Sequence, residues 1–241
     1  MILTRVVPEA DEPIDLESPD FRERLVELYG PGGSDWVRLN LIGSVSGSAT
    51  GPDGTSETLT NPVDRAILGV IRSQADVVLV GAASIRAEGY FIPRNGALAV
   101  VSRTGNFADH QLRGTTARGR LIILCPSAAV ETAQQTIGMP DVTVIAVPDA
   151  DGSLSAPDIV SALRGAGFRS IVVEGGPEIA TLFVIDDAVD ELCLTTSPVL
   201  NGGAMPLFGS REFDGHPLTL TQLLVDSGGA TYARWRMRGS G

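Results

Sequence analysis

Short apolar runs of strand length alternate with helical patterns from residue 36 onward, and this alternation limits the possible folds more than any other feature. The strand-like runs are rich in β-branched residues and lie at 36–42, 76–81, 97–102, 120–125, 142–147, 170–174 and 190–196. Helical patterns occur between several of them, near 62–73, 127–137, 156–166 and 177–185. Short apolar strands alternating with helices predict a mainly parallel sheet that is covered on both faces.

The two ends of the chain depart from this alternation. Near the C-terminus, the segment "LTLTQLLVDSGGATYARWRMR" has the pattern of two strands joined by a "DSGG" turn, which predicts an antiparallel hairpin and hence a mixed sheet. Residues 1–34 are rich in Asp, Glu and Pro, with one helical candidate at 21–29, and the breaker "YGPGGSD" follows that helix. We therefore interpret residues 1–34 as an N-terminal extension and residues 35–241 as one α/β domain.

Composition excludes several classes of function. The chain is 43% hydrophobic and 20% charged, which is enough apolar material for a sizeable core. Its net charge is −11, which argues against partnership with nucleic acid or an anionic membrane. All 18 basic residues are arginine, so the chain has no lysine for a Schiff base, a nucleotide phosphate or general-base catalysis.

The cysteines and histidines do not form a metal-binding pattern. Cys125 and Cys193 lie inside apolar runs, and His110 and His216 are the only histidines. No pair of them has metal-ligand spacing, so we expect no metal site. Two cysteines in apolar runs suggest buried thiols in a reducing compartment. The sequence has no signal-peptide core and no apolar run of membrane-spanning length, and we expect a soluble cytoplasmic protein.

Three glycine-bearing turns follow predicted strands, where ligands of open α/β sheets bind. These turns are "VLVGAAS" at Gly81, "VVEGGPE" at Gly175–Gly176, and "PVLNGGAMPLF". A glycine pair before a helix can direct backbone N–H groups at an anion such as a diphosphate, although it can equally make a tight connection. The dinucleotide fingerprint G-x-G-x-x-G is missing, which disfavours an ordinary Rossmann domain. Glu174, at the end of its strand, either accepts N–H groups of a substrate or simply terminates the strand.

The order of three motifs makes the chain resemble a known family. The motifs are "RLNLIGSVSGSAT", "TLTNPVDRAILGVIRSQADVVLVGAASIRAEGY" and "IVVEGGPEIATLFVIDDAVDELCLTTSPVLNGGAMPLF". Together they resemble the riboflavin-biosynthesis pyrimidine reductases, the reductase half of the bifunctional deaminase–reductases, from about Trp36 to Arg238. The chain is even more similar to stand-alone actinobacterial reductase-like proteins, some linked to a dihydrofolate-reductase-like activity. The zinc signature of the deaminase half is not in the sequence.

The resemblance implies a dihydrofolate-reductase-like α/β fold, NADPH as hydride donor, and a homodimer. The implied reaction reduces the ribosyl group of 5-amino-6-(5-phosphoribosylamino)uracil to ribityl. Among the implied cofactor-binding residues, Arg103 would meet the adenosine 2′-phosphate, because a guanidinium binds that dianion in a bidentate manner. The full cofactor-binding set is Gly43, Thr58, Gly81, Ser84, Glu88, Arg103, Gly175, Gly176, Pro177, Glu178 and Ile179.

The implied substrate-binding residues are Asn40, Ser56, Arg72 and Glu174. Glu174 would face the pyrimidine ring, and Arg72 would bind the substrate phosphate unless it is an ordinary helix-surface arginine. The catalytic candidates are Glu174, Ser46 and Asn40.

Two of these positions depart from the family pattern. The biosynthetic enzymes typically carry Lys where this chain has Asn40, and Asp, in "S-L-D-G", where it has Ser46. A serine forms hydrogen bonds but carries no charge. The acceptor therefore stays open between the phosphorylated pyrimidine and dihydrofolate or another pterin. A third alternative is a protein that binds NADPH without catalysis.

Overall fold

The computed structural model describes residues 1–30, 32–93, 96–114, 120–202 and 205–237. Its strands, in chain order, are β1 (Ile2–Val7), β2 (Ile14–Asp15), β3 (Trp36–Ser44), β4 (Val77–Gly81), β5 (Ala97–Val101), β6 (Arg120–Pro126), β7 (Val142–Val147), β8 (Asp149–Ala150), β9 (Ser153–Leu154), β10 (Ser170–Gly175), β11 (Glu191–Ser197), β12 (Leu218–Asp226) and β13 (Thr231–Met237). The helices are α1 (Phe21–Leu28), α2 (Pro62–Ser73), α3 (Ala82–Ala87), α4 (Val130–Thr136), α5 (Ala156–Gly165) and α6 (Pro177–Ile185). The chain forms two compact units, Met1–Gln74 with Val189–Gly241, and Ala75–Ala188.

The first unit contains a mixed sheet with the strand order β2-β1-β12-β13-β11-β3. Its β3 and β11 are parallel and in register from Glu191 opposite Arg38 to Ser197 opposite Ser44, whereas the other pairs are antiparallel. The predicted C-terminal hairpin is confirmed as β12 and β13. Asp226 closes its turn, because one carboxylate oxygen accepts the N–H groups of Gly228 at 2.8 Å and Ala230 at 3.0 Å.

Residues 1–34 take part in the core of this first unit. Strand β1 pairs with β12, with Leu3 opposite Asp226, and α1 buries Phe21 and Leu25. Leu3 and Leu25 have no exposed surface at all. The segment interpreted as an extension therefore supplies a strand and a helix to the sheet unit, and the proposed boundary at residue 35 remains a prediction.

Two arginines and one glutamate attach α1 to the sheet. Glu191, on β11, accepts a hydrogen bond from Arg38 Nε at 2.6 Å and from Arg234 Nη2 at 2.6 Å. Arg38 also donates to the carbonyl of Tyr29 at 3.1 Å and to that of Gly30 at 2.9 Å. Arg234 donates to the carbonyl of Leu28. The guanidinium groups thus satisfy carbonyls at the C-terminal end of α1, which lack N–H donors within the helix and attract positive charge.

The second unit is built on five parallel strands in the order β10-β4-β5-β6-β7. Every residue of β4 and β5 is buried, as expected for central strands of a parallel sheet covered on both faces. Helices α4, α5 and α6 occupy three of the four regions predicted as helical, with a short 3-10 turn (Ser127–Ala129) preceding α4. The fourth predicted region coincides with α2 of the first unit. The predicted mixed α/β class is confirmed.

Within the described ranges, no helix has both the length and the apolar composition that crossing a membrane requires.

Candidate functional site

Three parallel strands of the second unit bring their carboxyl ends to one edge of the sheet. In the ladder, Gly175 lies opposite Val80, and Gly81 lies opposite Val101. The turns that follow β10, β4 and β5 therefore start side by side, about 4.8 Å apart per strand. This register brings together Gly175 and Gly176, Gly81 and Ser84, and Arg103, all predicted to bind the cofactor.

The Gly175–Gly176 turn is held by a side chain from the neighbouring turn. Gly175 has a φ of +90°, a conformation that favours glycine, and the Gly175–Gly176 peptide is cis. The N–H of Gly176 donates to Ser84 Oγ at 2.7 Å. A Cβ on Gly176 would lie 3.1 Å from that oxygen, and one on Gly81 would lie 3.0 Å from Cγ1 of Ile179. Packing within the protein thus accounts for glycine at positions 81 and 176. The Gly176 N–H is already bonded to Ser84 and does not point to a ligand.

Helix α6 begins directly after this turn. Pro177 occupies its first position, and Glu178 is the acidic residue of its first turn. The N–H groups of Ile179 and Ala180 donate to the carbonyl of Gly176, both at 3.0 Å. The N–H of Glu178 has no acceptor within the helix, because it lies in the first turn. With the positive end of the helix dipole at the same place, the start of α6 suits a diphosphate, and the residues present fit the predicted cofactor.

Arg103 lies on an exposed and well-supported loop after β5. Ser102, next to it, is buried and accepts the N–H of Gly105 at 3.1 Å. Gly105 has a φ of +67°, and a Cβ there would lie 2.2 Å from the carbonyl oxygen of Ala129. Thr136 Oγ1 accepts the N–H of Phe107 at 3.0 Å, which secures the loop to α4. Arg103 is therefore a cation on a fixed support, two strands from the glycine turn.

Two predicted carboxylates lie on the same elements. Glu174 is half-buried on β10, immediately before Gly175. Glu88 is the C-cap residue that follows α3, with its N–H donating to the carbonyl of Ser84 at 2.8 Å. The roles predicted for both residues stay predictions.

In the first unit, the carboxyl ends of β3 and β11 lie side by side, with Gly43 opposite Thr196. Gly43 is buried, and a Cβ there would lie 3.4 Å from the carbonyl oxygen of Ser48. Asn40 is half-buried and faces Cys193 in the ladder, four residues before the end of β3. That separation along a strand is about 13 Å. The structure therefore places Gly43, but not Asn40, at the end of the strand.

The loops after β3 and β11 are tied together by Ser46 and Asn201. Ser46 Oγ donates to the backbone carbonyl of Asn201 at 2.7 Å, and Asn201 Nδ2 donates to the carbonyl of Thr50 at 2.9 Å. We call residues 44–50 together with 199–202 and 205–207 the loop clasp. Sequence reasoning singled out the "PVLNGG" turn for its glycines and missed Asn201 within it.

The loop between the clasp and α2 holds Thr58. Its Oγ1 donates to Asp53 Oδ1 at 2.8 Å, and Gly51 leaves the space for it, because a Cβ there would lie 1.9 Å from Thr58 Oγ1. Hydrogen bonds lower the pKa of Asp53, first that from the Thr55 hydroxyl and then those from the Thr55 amide and Thr58. Thr58 therefore has a role in shaping this loop, independent of any cofactor.

The predicted substrate contacts Ser56 and Arg72 lie at opposite ends of α2. Ser56 is in the loop before the helix, whereas Arg72 is in its last turn and exposed. Arg72 lies ten residues after Pro62, about 15 Å along the helix axis. The substrate roles of Ser56 and Arg72 stay predictions.

Asn61 anchors the start of α2 through a buried network that the sequence did not reveal. It caps the helix by accepting the N–H of Asp64 at 2.9 Å, and its Nδ2 donates to Asp226 Oδ2 at 2.9 Å. The hydroxyl of Tyr232 donates to the same carboxylate oxygen at 2.7 Å. Burial, followed by the hydrogen bond to Asp226, raises the pKa of Tyr232. The Asn-Pro pair predicts a helix start, but nothing local identifies the partners on β12 and β13.

Among the residues that the structure describes, no group of three or more His, Cys, Asp or Glu side chains is arranged to hold a metal ion.

Three solved structures are similar to this protein over most of its chain. A pyrimidine reductase-like protein from Corynebacterium diphtheriae is 22% identical, with a TM-score of 0.75 over 90% of this chain and 99% of its own. The deaminase/5-amino-6-(5-phosphoribosylamino)uracil reductase of Thermotoga maritima is 19% identical, with a TM-score of 0.69 over 89% of this chain and 60% of its own. The riboflavin biosynthesis reductase of Saccharomyces cerevisiae is 15% identical, with a TM-score of 0.62 over 91% and 98% of the two chains. These likenesses establish a shared fold.

Sequence comparison identifies the family. No protein with curated annotation matches the chain. The family model described as the RibD C-terminal domain matches residues 35–232, which is most of the chain. The protein therefore belongs to the RibD C-terminal domain family, whose members are riboflavin-biosynthesis reductases.

Proposed function

We propose that this protein reduces the ribosyl group of 5-amino-6-(5-phosphoribosylamino)uracil to ribityl, using NADPH. The observation that carries the proposal is the glycine turn at the start of α6, held by Ser84 at the same sheet edge as Arg103. Membership in a reductase family supports the reaction type. The uracil reductase activity named for the Thermotoga maritima protein of the same fold supports the choice of substrate.

The second unit would hold the cofactor. The Glu178 N–H and the positive end of the α6 dipole would bind the diphosphate, and the Arg103 guanidinium would bind the 2′-phosphate. Bound NADPH supplies a hydride from C4 of its nicotinamide ring. Ser84 would act indirectly, by fixing the Gly176 amide and with it the direction in which α6 begins. Glu178 would oppose diphosphate binding slightly, because it adds a negative charge in the first turn of the helix.

Glu174 is the residue we assign to the acceptor ring. A carboxylate at the end of β10 can accept the ring N–H groups of a pyrimidine and so fix its orientation. Reduction of an imine-like acceptor also needs a proton, which a carboxyl group in contact with the ring can hold on one oxygen. Replacement of Glu174 with glutamine should lower kcat and flatten its pH profile, and an unchanged profile would remove this role.

The cofactor half is tested by binding measurements that need no acceptor. Arg103→Gln should raise the Kd for NADPH about 10- to 100-fold, since a charge-assisted hydrogen bond contributes about 1.5–3 kcal/mol. It should leave the Kd for NADH unchanged, because NADH lacks the 2′-phosphate. Arg211→Gln removes an exposed arginine of the first unit and is the matched control. Equal weakening of both cofactors, or of neither, contradicts the assignment.

The acceptor is tested by the initial rate of NADPH oxidation with the phosphoribosylaminouracil and, in parallel, with dihydrofolate. Turnover on the uracil supports the proposal. Turnover on dihydrofolate alone would favour pterin reduction, the candidate suggested by the uncharged Asn40 and Ser46. Binding of NADPH without turnover on either acceptor would favour a protein that binds the cofactor without catalysis.

We also propose a cytoplasmic homodimer. The resemblance of the sequence to the pyrimidine reductases supports both points. Light scattering in solution should give twice the mass of one chain, and a monomeric mass would contradict the dimer. Cell fractionation tests the compartment.

A further inference from the structure

The Ser46 hydroxyl is fully engaged inside the loop clasp. It lies 2.7 Å from the carbonyl oxygen of Asn201, 3.0 Å from Oδ1 of the same residue and 2.9 Å from Ser44 Oγ. The backbone N–H of Asn201 donates to it at 3.3 Å. A serine hydroxyl has one hydrogen to donate. The shortest contact assigns that hydrogen to the Asn201 carbonyl, so that Ser44 is the donor in its contact with Ser46.

Backbone hydrogen bonds make the two loops of the clasp one structural piece. The N–H of Val45 donates to the carbonyl of Val199 at 3.0 Å, and the N–H of Ala49 donates to the carbonyl of Met205 at 2.8 Å. In the opposite direction, the N–H of Leu207 donates to the carbonyl of Gly47 at 3.1 Å. Donors from both loops take part, so movement of one loop requires movement of the other.

The clasp stands where a ligand of this sheet is expected. It follows the carboxyl ends of the parallel strands β3 and β11, the edge at which α/β proteins bind their ligands. It also covers Gly43. A Cβ on Gly43 would lie 3.4 Å from the carbonyl oxygen of Ser48 and 3.5 Å from the side chain of Leu207. Three large apolar side chains of the clasp are exposed to solvent, Val45 at 61%, Leu200 at 83% and Met205 at 46%. Exposed apolar side chains at a ligand-binding edge suit the flat face of a heterocyclic ring.

We infer that Ser46 and Asn201 are positioning residues, which lock the clasp in place and so shape the ligand-binding edge of the first unit's own sheet. Neither residue is a proton donor, because the one hydroxyl hydrogen of Ser46 already binds a backbone carbonyl. This inference rests on the proposed reductase function for the identity of the acceptor. The clasp itself does not depend on that function.

Hydrogen exchange measured by mass spectrometry tests the clasp without any catalysis. Ser46→Ala should speed exchange about 10-fold in peptides covering 44–50 and also in those covering 199–207, since the lost bonds oppose local opening. Ser73→Ala is the matched control, because the Ser73 hydroxyl donates to the carbonyl of Val70 within α2, outside the clasp. It should leave 199–207 unchanged. Unchanged exchange in 199–207 of Ser46→Ala would overturn the clasp.

Steady-state kinetics then test the positioning role. Ser46→Ala and Asn201→Ala should each raise the acceptor KM about 10-fold, with kcat and the Kd for NADPH changed less than about twofold. Combining them should cost no more than either alone, because both break one network. Ser46→Thr keeps the hydroxyl and should restore KM. A collapse of kcat in Ser46→Ala without faster exchange would instead make Ser46 a proton-transfer residue and overturn the inference.

A wild-type protein that turns over neither acceptor would overturn the proposed function, and the acceptor role of the clasp with it. The exchange experiment would still decide whether Ser46 and Asn201 hold the two loops together.

Discussion

Glu191 is the residue whose replacement should most damage the first unit. Its side chain is 5% exposed, and its single negative charge pairs with Arg38 at 4% and Arg234 at 17% exposure. Glu191→Gln keeps the shape but leaves two guanidinium cations without a counter-charge, in a place where water cannot replace it. Breaking a buried ion pair from one side costs about 3–5 kcal/mol. In a chain of this length each kcal/mol lowers Tm by about 2–4 °C, so we expect a fall of about 6–20 °C.

An exposed pair of the same chemistry supplies the control. Glu57 pairs with Arg65 on the surface, at 70% and 57% exposure. Glu57→Gln should cost no more than about 1 kcal/mol, because surface ion pairs are weak. Differential scanning calorimetry of both variants measures the contrast, and hydrogen exchange should show the loss in α1. Equal Tm values for the two variants, or a fall below about 2 °C in Glu191→Gln, would refute the reasoning.

A triple variant separates charge from helix capping. Arg38→Met, Glu191→Leu and Arg234→Met together remove the buried charges. Removal of a whole buried ion pair or triad can by itself leave stability unchanged or increase it. The carbonyls of Leu28 and Tyr29 would nevertheless lose their donors. We expect the triple variant to be more stable than Glu191→Gln but less stable than the wild type. Full recovery of Tm would show that the capping hydrogen bonds contribute nothing.

Three further predictions concern pH, the glycine turn and the N-terminal segment. Burial and the nearby Glu191 carboxylate raise the pKa of the Cys193 thiol from 9.0 to about 12. The unfolded chain therefore loses this proton at lower pH than the folded protein does. The free energy of unfolding should fall as pH rises from about 9 to about 12. Urea titrations should give a smaller fall in Cys193→Ala, and an equal fall would contradict this. Gly175→Ala should lower the free energy of unfolding by about 1–2 kcal/mol and weaken NADPH binding, because Gly175 has a positive φ. Gly138→Ala is the control, since Gly138 also has a positive φ but open space around it. It should lower stability without changing NADPH binding. Deletion of residues 1–34 should abolish the near-UV circular dichroism of the first unit, because β12 loses its partner β1. A folded product would instead support the interpretation of residues 1–34 as an extension.

The local elements could be predicted because their signals are local. Strand β7 has the predicted bounds and α6 begins at Pro177 as predicted, since apolar period, glycine and proline each act within a few residues. The place of residues 1–34 could not be predicted in this way. Their Asp, Glu and Pro content suggested a peripheral segment, whereas Leu3 pairs with a strand more than two hundred residues later. A register over that distance leaves no trace in a single sequence.

The candidate site shows the same difference between local and distant signals. The glycine pair and Arg103 were found because turns after parallel strands share an edge. The hydrogen bond between Ser84 and Gly176 spans 92 residues, and that between Ser46 and Asn201 spans 155. In both cases the family resemblance pointed to the serine, yet its hydroxyl binds a distant backbone group of the protein. Sequence reasoning therefore identified the positions but not their partners.

The division of the chain has a consequence for biosynthesis on the ribosome. The second unit, Ala75–Ala188, is continuous, and β4, β5, β6 and β7 pair in the order of the chain, so the unit can fold as soon as β10 has emerged to pair with β4. The first unit is interrupted, because the β3–β11 and β1–β12 ladders cannot form until residues 191–197 and 218–226 have been synthesised. Until then β1 has only the short strand β2 as a partner, and β3 lacks its partner β11. Nascent chains stalled before residue 218 should therefore bind chaperones through their first 74 residues rather than through the completed second unit.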